Sequence, residues 1–168
     1  MTDRGAGATT ALHDAVTPLS FLLGRWAGEG EGSYPTIEPF GYGEEITVSH
    51  VGKPFLAYAQ RTWSLDDGRP LHAETGYWRC ASAIHVELVV AHPTGVVELS
   101  EGPLSATSLV LSSRTVSGTA SAKDVTALVR RITVGEDRLD YELDMAAVGV
   151  PLTNHLRAVL RRVAGAPA

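Results

Sequence analysis

A chain of 168 residues, 44% apolar and 20% charged, is long enough for one well-filled core and too apolar for a disordered segment. Its formal charge of -5 gives no general attraction to nucleic acid or anionic membrane, and no basic tract with interleaved aromatics is present. The single cysteine, Cys80, excludes an intrachain disulfide and a multi-thiolate metal site, and no apolar run reaches the roughly 18 residues of a membrane-spanning helix. Asp3 and Arg4, with no apolar run behind them, do not read as a secretory signal, so a cytoplasmic location is expected.

Residues 1–11 are rich in Gly, Ala and Thr and are expected to be a disordered tail; 12–163 read as one domain and 164–168 as a second tail. Between Leu12 and Leu23, an apolar cluster of Val16, Leu19, Phe21, Leu22 and Leu23 surrounds Pro18, which predicts a short helical turn capping one end of the domain. From Gly24, glycine and larger residues alternate at the strand period, so Gly24, Trp26, Gly28, Gly30 and Gly32 share one face. Glycine weakens a strand unless a neighbour approaches closely or the sheet bends. That face is therefore expected to press against another element or a cavity floor, with Trp26 plugging one end; a glycine-rich loop without a ligand is the plainer alternative. Tyr34-Pro35-Thr36-Ile37 leaves the strand with a hydroxyl and a branched apolar side chain suited to a cavity wall.

Alternating runs follow at Glu44 to His50, Phe55 to Trp63, Pro70 to Cys80, Ile84 to Ala91, Val96 to Glu101, Ser105 to Ser112, Val125 to Val134 and Leu139 to Val148. Turn signals such as Asp66-Asp67-Gly68, His92-Pro93-Thr94-Gly95 and Gly135-Glu136-Asp137 separate them. About ten short strands with turns every 8 to 12 residues make an all-β domain. A sandwich and a barrel both satisfy this pattern; sequential hairpins favour an up-and-down antiparallel β-barrel, because closure removes the edge strands. Leu152 to Val163 suits a helix by spacing and a strand by its Val and Thr content, and the preceding meander favours the strand.

No His-x-His or His-Glu-x-x-His spacing marks a local zinc site, and no phosphate loop, Gly-x-Ser-x-Gly elbow or acid–base pair marks a hydrolase or kinase. His13 reads as inert. His92 ends the stripe of Ile84, Val86, Leu88 and Val90 and is expected half-exposed at a strand mouth, while His72 shares a face with Glu74, Gly76 and Trp78 near a hairpin. His155 is flanked by apolar residues, as suits a haem-iron ligand, yet alternation puts it on the face of Arg157 and Val159. Met145 lies on the apolar face of its strand with Tyr141 and Leu143, where methionine is most often filler, and Lys123 stands at the opening of a strand.

Gly24-Arg25-Trp26-Ala27-Gly28-Glu29-Gly30 matches the Gly-x-Trp-x-Gly-x-Gly motif of the nitrobindins, and Tyr34-Pro35-Thr36-Ile37 continues it. Leu71-His72-Ala73-Glu74-Thr75-Gly76-Tyr77, Ala91-His92-Pro93-Thr94-Gly95 and Asn154-His155-Leu156 also resemble family segments, in order, from about Leu19 to Arg162. The chain is most similar to mycobacterial and related actinobacterial members. The resemblance implies a ten-stranded barrel like that of fatty-acid-binding proteins and lipocalins, holding one haem b (heme b) per chain. It implies His155 as the proximal iron ligand, Lys123 near the propionates, Thr36 and Ile37 as distal wall, and further cofactor contacts from Met145, Leu71 and His92. His92 stands where some relatives carry glutamine. Family members keep ferric haem, bind nitric oxide reversibly and are described as isomerising peroxynitrite to nitrate. The implied partners are these two small ligands, with no nucleic acid or membrane, and a homodimer is left open. A non-catalytic carrier of a fatty acid or similar apolar ligand, and a haem-based sensor or store of nitric oxide, are the competing readings.

Overall fold

The computed structural model describes residues 10–164; residues 1–9 and 165–168, which hold most of the two expected tails, lie outside the described residues. A 3-10 helix, Asp14–Leu22, precedes ten strands: β1 Gly24–Tyr34, β2 Ile37–Ser49, β3 Leu56–Ser64, β4 Pro70–Ser82, β5 His85–Ala91, β6 Val96–Ser105, β7 Ser108–Gly118, β8 Val125–Val134, β9 Arg138–Ala147 and β10 Val150–Arg162. Each pairs antiparallel with the next, and β1 closes the ring on β10, with Trp26 opposite Arg162 and Gly32 opposite Leu156. This is the expected up-and-down barrel rather than a sandwich, and its last segment is a strand.

Three local expectations change. β6 runs on from the predicted Glu101 through Gly102-Pro103 to Ser105, which closes β6 instead of opening β7. Ile37 opens β2 instead of ending β1, and β2 begins seven residues before the predicted Glu44. Pro39, Gly41 and Gly43 are poor strand formers, but pairing with β1 (Gly32 with Phe40, Gly30 with Tyr42) carries the strand through them. Ile84 falls in the turn before β5 and is 72% exposed, so the inward stripe of β5 starts at Val86.

The helix covers one end of the barrel, burying Val16, Leu19 and Leu22 with Trp26, Leu56, Trp78, Val86, Leu88 and Leu160. His13 is its N-cap: Nδ1 accepts a hydrogen bond from the Ala15 amide at 3.1 Å. At the other terminus the Trp26 indole donates to the Leu22 carbonyl (2.9 Å), and Arg162 donates to the Leu23 and Phe21 carbonyls (2.5 and 3.1 Å). The Arg162 guanidinium also lies 4.1 Å from the Trp26 ring centroid, so Trp26 is the plug its position suggested.

The glycine face has the predicted cause. A Cβ on Gly28 would lie 2.2 Å from the Val159 carbonyl oxygen; on Gly30 it would lie 2.4 Å from the Tyr42 ring, and on Gly32 2.3 Å from Phe40. The missing side chains let Tyr42 and Phe40 lie against β1 and leave the space above them open. At the opposite wall, β7 and β8 pair only between Ser108–Ser112 and Val129–Thr133. They separate toward the open end, where a loop carrying Lys123 joins them.

Gly76 is packed most tightly of all, since a Cβ there would lie 1.9 Å from the Val89 carbonyl oxygen. Gly76→Ala should therefore destabilise the barrel by about 2 kcal/mol and lower Tm by roughly 4–8 °C in a circular-dichroism melt. An unchanged Tm would show that β4 and β5 do not approach so closely.

Candidate functional site

Beyond the apolar plug, the inward positions of β2, β3, β4, β6 and β8 become polar. Arg130 and Glu98 are each almost wholly buried, as is Glu74. Arg130 uses both edges of its guanidinium: Nη1 and Nη2 donate to Glu74 Oε2 and Oε1 (3.1 and 3.0 Å), while Nε and Nη2 donate to Glu98 Oε1 and Oε2 (3.1 and 2.8 Å). Tyr58 donates to Glu74 (3.0 Å), and Ser100 donates to Glu98 (2.5 Å). Burial pushes both carboxyls up, but the Arg130 charge overrides it and holds Glu74 below the usual carboxylate range and Glu98 well below it. Burial alone would lower the Arg130 value; Glu74 and Glu98 hold it well above the ordinary one.

This polar layer is the floor of a cavity of about 870 Å³, near the top of the roughly 300–1,000 Å³ range of cavities that take small ligands and cofactors. Apolar walls come from Ile37, Phe40, Leu71, Leu128, Leu143 and Met145, and the exposed Lys123 stands at the rim. On one wall His72 Nε2 lies 3.1 Å from His92 Nδ1, and both nitrogens approach Glu74 Oε1 (3.9 and 3.6 Å). The His92 side chain is 8% exposed rather than half-exposed, because it turns inward over Glu74 and Glu98 instead of ending the strand in solvent. Burial holds His72 below the usual imidazole value.

His155 lines the same cavity despite the alternation that aligned it with Arg157 and Val159. The cause is a break in the β9–β10 register: Asn154 faces Asp144, but Leu156 faces Leu143, so one extra residue bulges between them. The bulge re-aims the side chain, as bulges beside functional sites often do. His155 Nδ1 is 3.0 Å from the Ser33 carbonyl oxygen, a pure acceptor, so Nδ1 carries the proton and Nε2 keeps a free lone pair. The Tyr34 ring meets the imidazole edge-on at 5.3 Å, and Tyr34 Oη accepts from the Ala147 amide at 2.9 Å, anchoring it to β9.

A sequence model described as the THAP4-like, heme-binding beta-barrel domain matches residues 15–162. Curated relatives include peroxynitrite isomerase 1 of Mycolicibacterium paratuberculosis, 51% identical over 91% of this chain and 98% of that protein. Peroxynitrite isomerase 2 of Mycobacterium marinum is 53% identical over 90% and 96%. The crystal structure of Rv2717c from Mycobacterium tuberculosis superposes with a TM-score of 0.85, at 48% identity, covering 91% of this chain and 99% of that one. The chain belongs to the nitrobindin, or peroxynitrite isomerase, family.

All seven candidate residues of the nitrobindin reading, His155, Lys123, Thr36, Ile37, Met145, Leu71 and His92, border the one cavity. Gly24, Trp26 and Gly28 do not; they belong to the plug and the β1–β10 seam, and Gly30 makes room for Tyr42. Sequence reasoning missed the floor. Glu44, Glu98 and Arg130 each interrupt an alternating apolar face, ahead of Ile46 and Val48, beside Val96, and between Leu128 and Ile132, and that interruption was the available signal.

Glu44 is the floor's soft point. Gln60 donates to its Oε1 at 2.8 Å, while Glu44 Oε2 and Gln60 Oε1 have no partner. Burial pushes its carboxyl from 4.5 up to about 7. Between those values the folded chain binds more protons than the unfolded one, so stability falls as pH rises through that window. Urea denaturation at pH 5 and pH 8 should show this fall in the wild type, on the order of 3 kcal/mol from Glu44, and Glu44→Gln should flatten it. Equal slopes for the two proteins would contradict the assignment.

Proposed function

We propose that this chain holds one haem b in the cavity with His155 Nε2 as the proximal iron ligand, isomerises peroxynitrite to nitrate there, and binds nitric oxide reversibly. The observation that carries the reading is the His155 geometry: Nδ1 donates to the Ser33 carbonyl, so Nε2 is the ring nitrogen left for a metal, on a side chain that lines the cavity. A metal-bound histidine needs that arrangement, in which an outer carbonyl sets the tautomer and the ring angle. When bound, ferric haem supplies a Lewis-acidic iron with an open position and the electron transfers of the isomerisation.

The chain supplies the surroundings. The residues present suit the group: Ile37, Phe40, Leu71, Leu143, Met145 and Leu156 offer apolar surface to a macrocycle, and the cavity volume admits a large planar ligand. Lys123 at the rim is suited to a propionate, and Thr36 and Ile37, at the β1–β2 turn, to the wall facing the ligand. Tyr34 and Ser33 fix the orientation of the imidazole that would hold the group. The names of the relatives, peroxynitrite isomerases 1 and 2, favour the same chemistry.

The fatty-acid carrier reading calls for a buried arginine to clamp a carboxylate. Arg130 is the buried arginine of this cavity, but four hydrogen bonds to Glu74 and Glu98 already occupy it. A further carboxylate would meet two negative groups against one positive one, which disfavours that occupant.

Hemin titration of the purified protein should give a Soret band that saturates at one equivalent, and His155→Ala should abolish it or shift it to a free-hemin spectrum. Stopped-flow decay of peroxynitrite, with nitrate measured as product, should accelerate with the loaded wild type and not with the variant. Wild-type spectra and haem affinity in His155→Ala would remove the axial role.

A further inference from the structure

His72 and His92 line the same cavity as His155, and their geometry is that of ligands. The donor atoms His72 Nε2, His92 Nδ1 and Glu74 Oε1 form a triangle with edges of 3.1, 3.6 and 3.9 Å. The point equidistant from all three lies about 2.1 Å from each, which is the bond length of imidazole and carboxylate donors to zinc. We propose that His72, His92 and Glu74 form a second metal site in the cavity wall, for a divalent first-row transition ion, with its remaining coordination position open to the cavity.

Three further observations support the site. The His92 side chain is more than nine-tenths buried, and its Nε2 faces Glu98. That nitrogen lies 3.5 Å from Glu98 Oε2. A carboxylate behind one ring nitrogen keeps the proton there and turns the other, Nδ1, into a lone-pair donor aimed at the cavity, the outer-shell pattern of metal-bound histidine. Glu74 is braced in the same way: Tyr58 and Arg130 hold its oxygens, and Oε1 retains a lone pair for an ion. Last, two carboxylates in contact with one guanidinium leave one negative charge uncompensated in the buried floor. A divalent ion beside Glu74 compensates it. Two histidines and one carboxylate with an open position suit iron(II), zinc or cobalt(II), and disfavour calcium and magnesium, which require mostly oxygen ligands.

Without an ion, the 3.1 Å approach of His72 to His92 is a hydrogen bond through one shared proton. The test separates these states and is independent of the haem reading. Chelator-treated, hemin-free protein is titrated with cobalt(II) and followed by its visible absorption, and equilibrium dialysis against zinc is run with and without hemin. One equivalent of either ion should bind, with a cobalt spectrum of nitrogen coordination. His72→Gln, at a partly exposed position, and His92→Gln should each weaken binding by about 100-fold or more, beyond the effect of losing an outer-shell partner. His155→Ala should leave metal binding unchanged while it loses the Soret band, so the two sites fail separately. Absence of saturable binding, or binding that persists undiminished in both His72→Gln and His92→Gln, would overturn the proposal and assign the pair to a shared proton.

Discussion

The interior of this barrel depends on one buried arginine. Arg130 reaches from β8 to Glu74 on β4 and Glu98 on β6, strands that are not neighbours in the sheet. The bonds therefore act across the barrel rather than along it. Removing one partner of such a set leaves an uncompensated buried charge, at a cost of about 3–5 kcal/mol. The charges also set a boundary. Below them the side chains are apolar and pack under the Asp14–Leu22 helix; above them the interior stays open. A layer of fixed, mutually hydrogen-bonded charges keeps the two halves from collapsing into one filled core.

The open half is shaped by absence on β1 and by surplus on β10. On β1, Gly30 and Gly32 let Tyr42 and Phe40 lie flat against the strand, which thins that wall. On β10, the extra residue between Asn154 and Leu156 brings His155 and Leu156 both to the cavity, although strict alternation would send one of them out. The end of β1 then serves β10 directly: the Ser33 carbonyl accepts a hydrogen bond from His155 Nδ1, and the Tyr34 ring braces the imidazole. The glycine stretch and the histidine far from it in sequence are thus one structural unit, closed by the β1–β10 pairing.

The number and order of the strands were legible because turn residues recur between alternating runs, and closure followed from sequential hairpins. The purpose of the glycine face was legible as close approach, though not the identity of Tyr42 and Phe40 as the groups approaching. Polar floor residues were visible only as interruptions: Glu44 stands in line with Ile46 and Val48, and Arg130 with Leu128 and Ile132. Their partners could not be read, since Arg130 meets Glu74 and Glu98 only once ten strands have closed. The direction of His155 was not legible from spacing at all. A bulge breaks the period of two on which such inferences rest, and nothing in Asn154-His155-Leu156 announces it. The family resemblance named the histidine; the bulge is the physical reason it can face the cavity.

Three histidines, His72, His92 and His155, face one cavity, and the account turns on which of them meets a haem iron. A crystal structure of the hemin-loaded protein decides it most directly. Iron bonded to His155 Nε2 is expected, with Nδ1 still hydrogen-bonded to the Ser33 carbonyl and with His72 and His92 beside Glu74 and not bonded to that iron. Iron bonded to His72 or His92, or a haem held without any histidine, would contradict it.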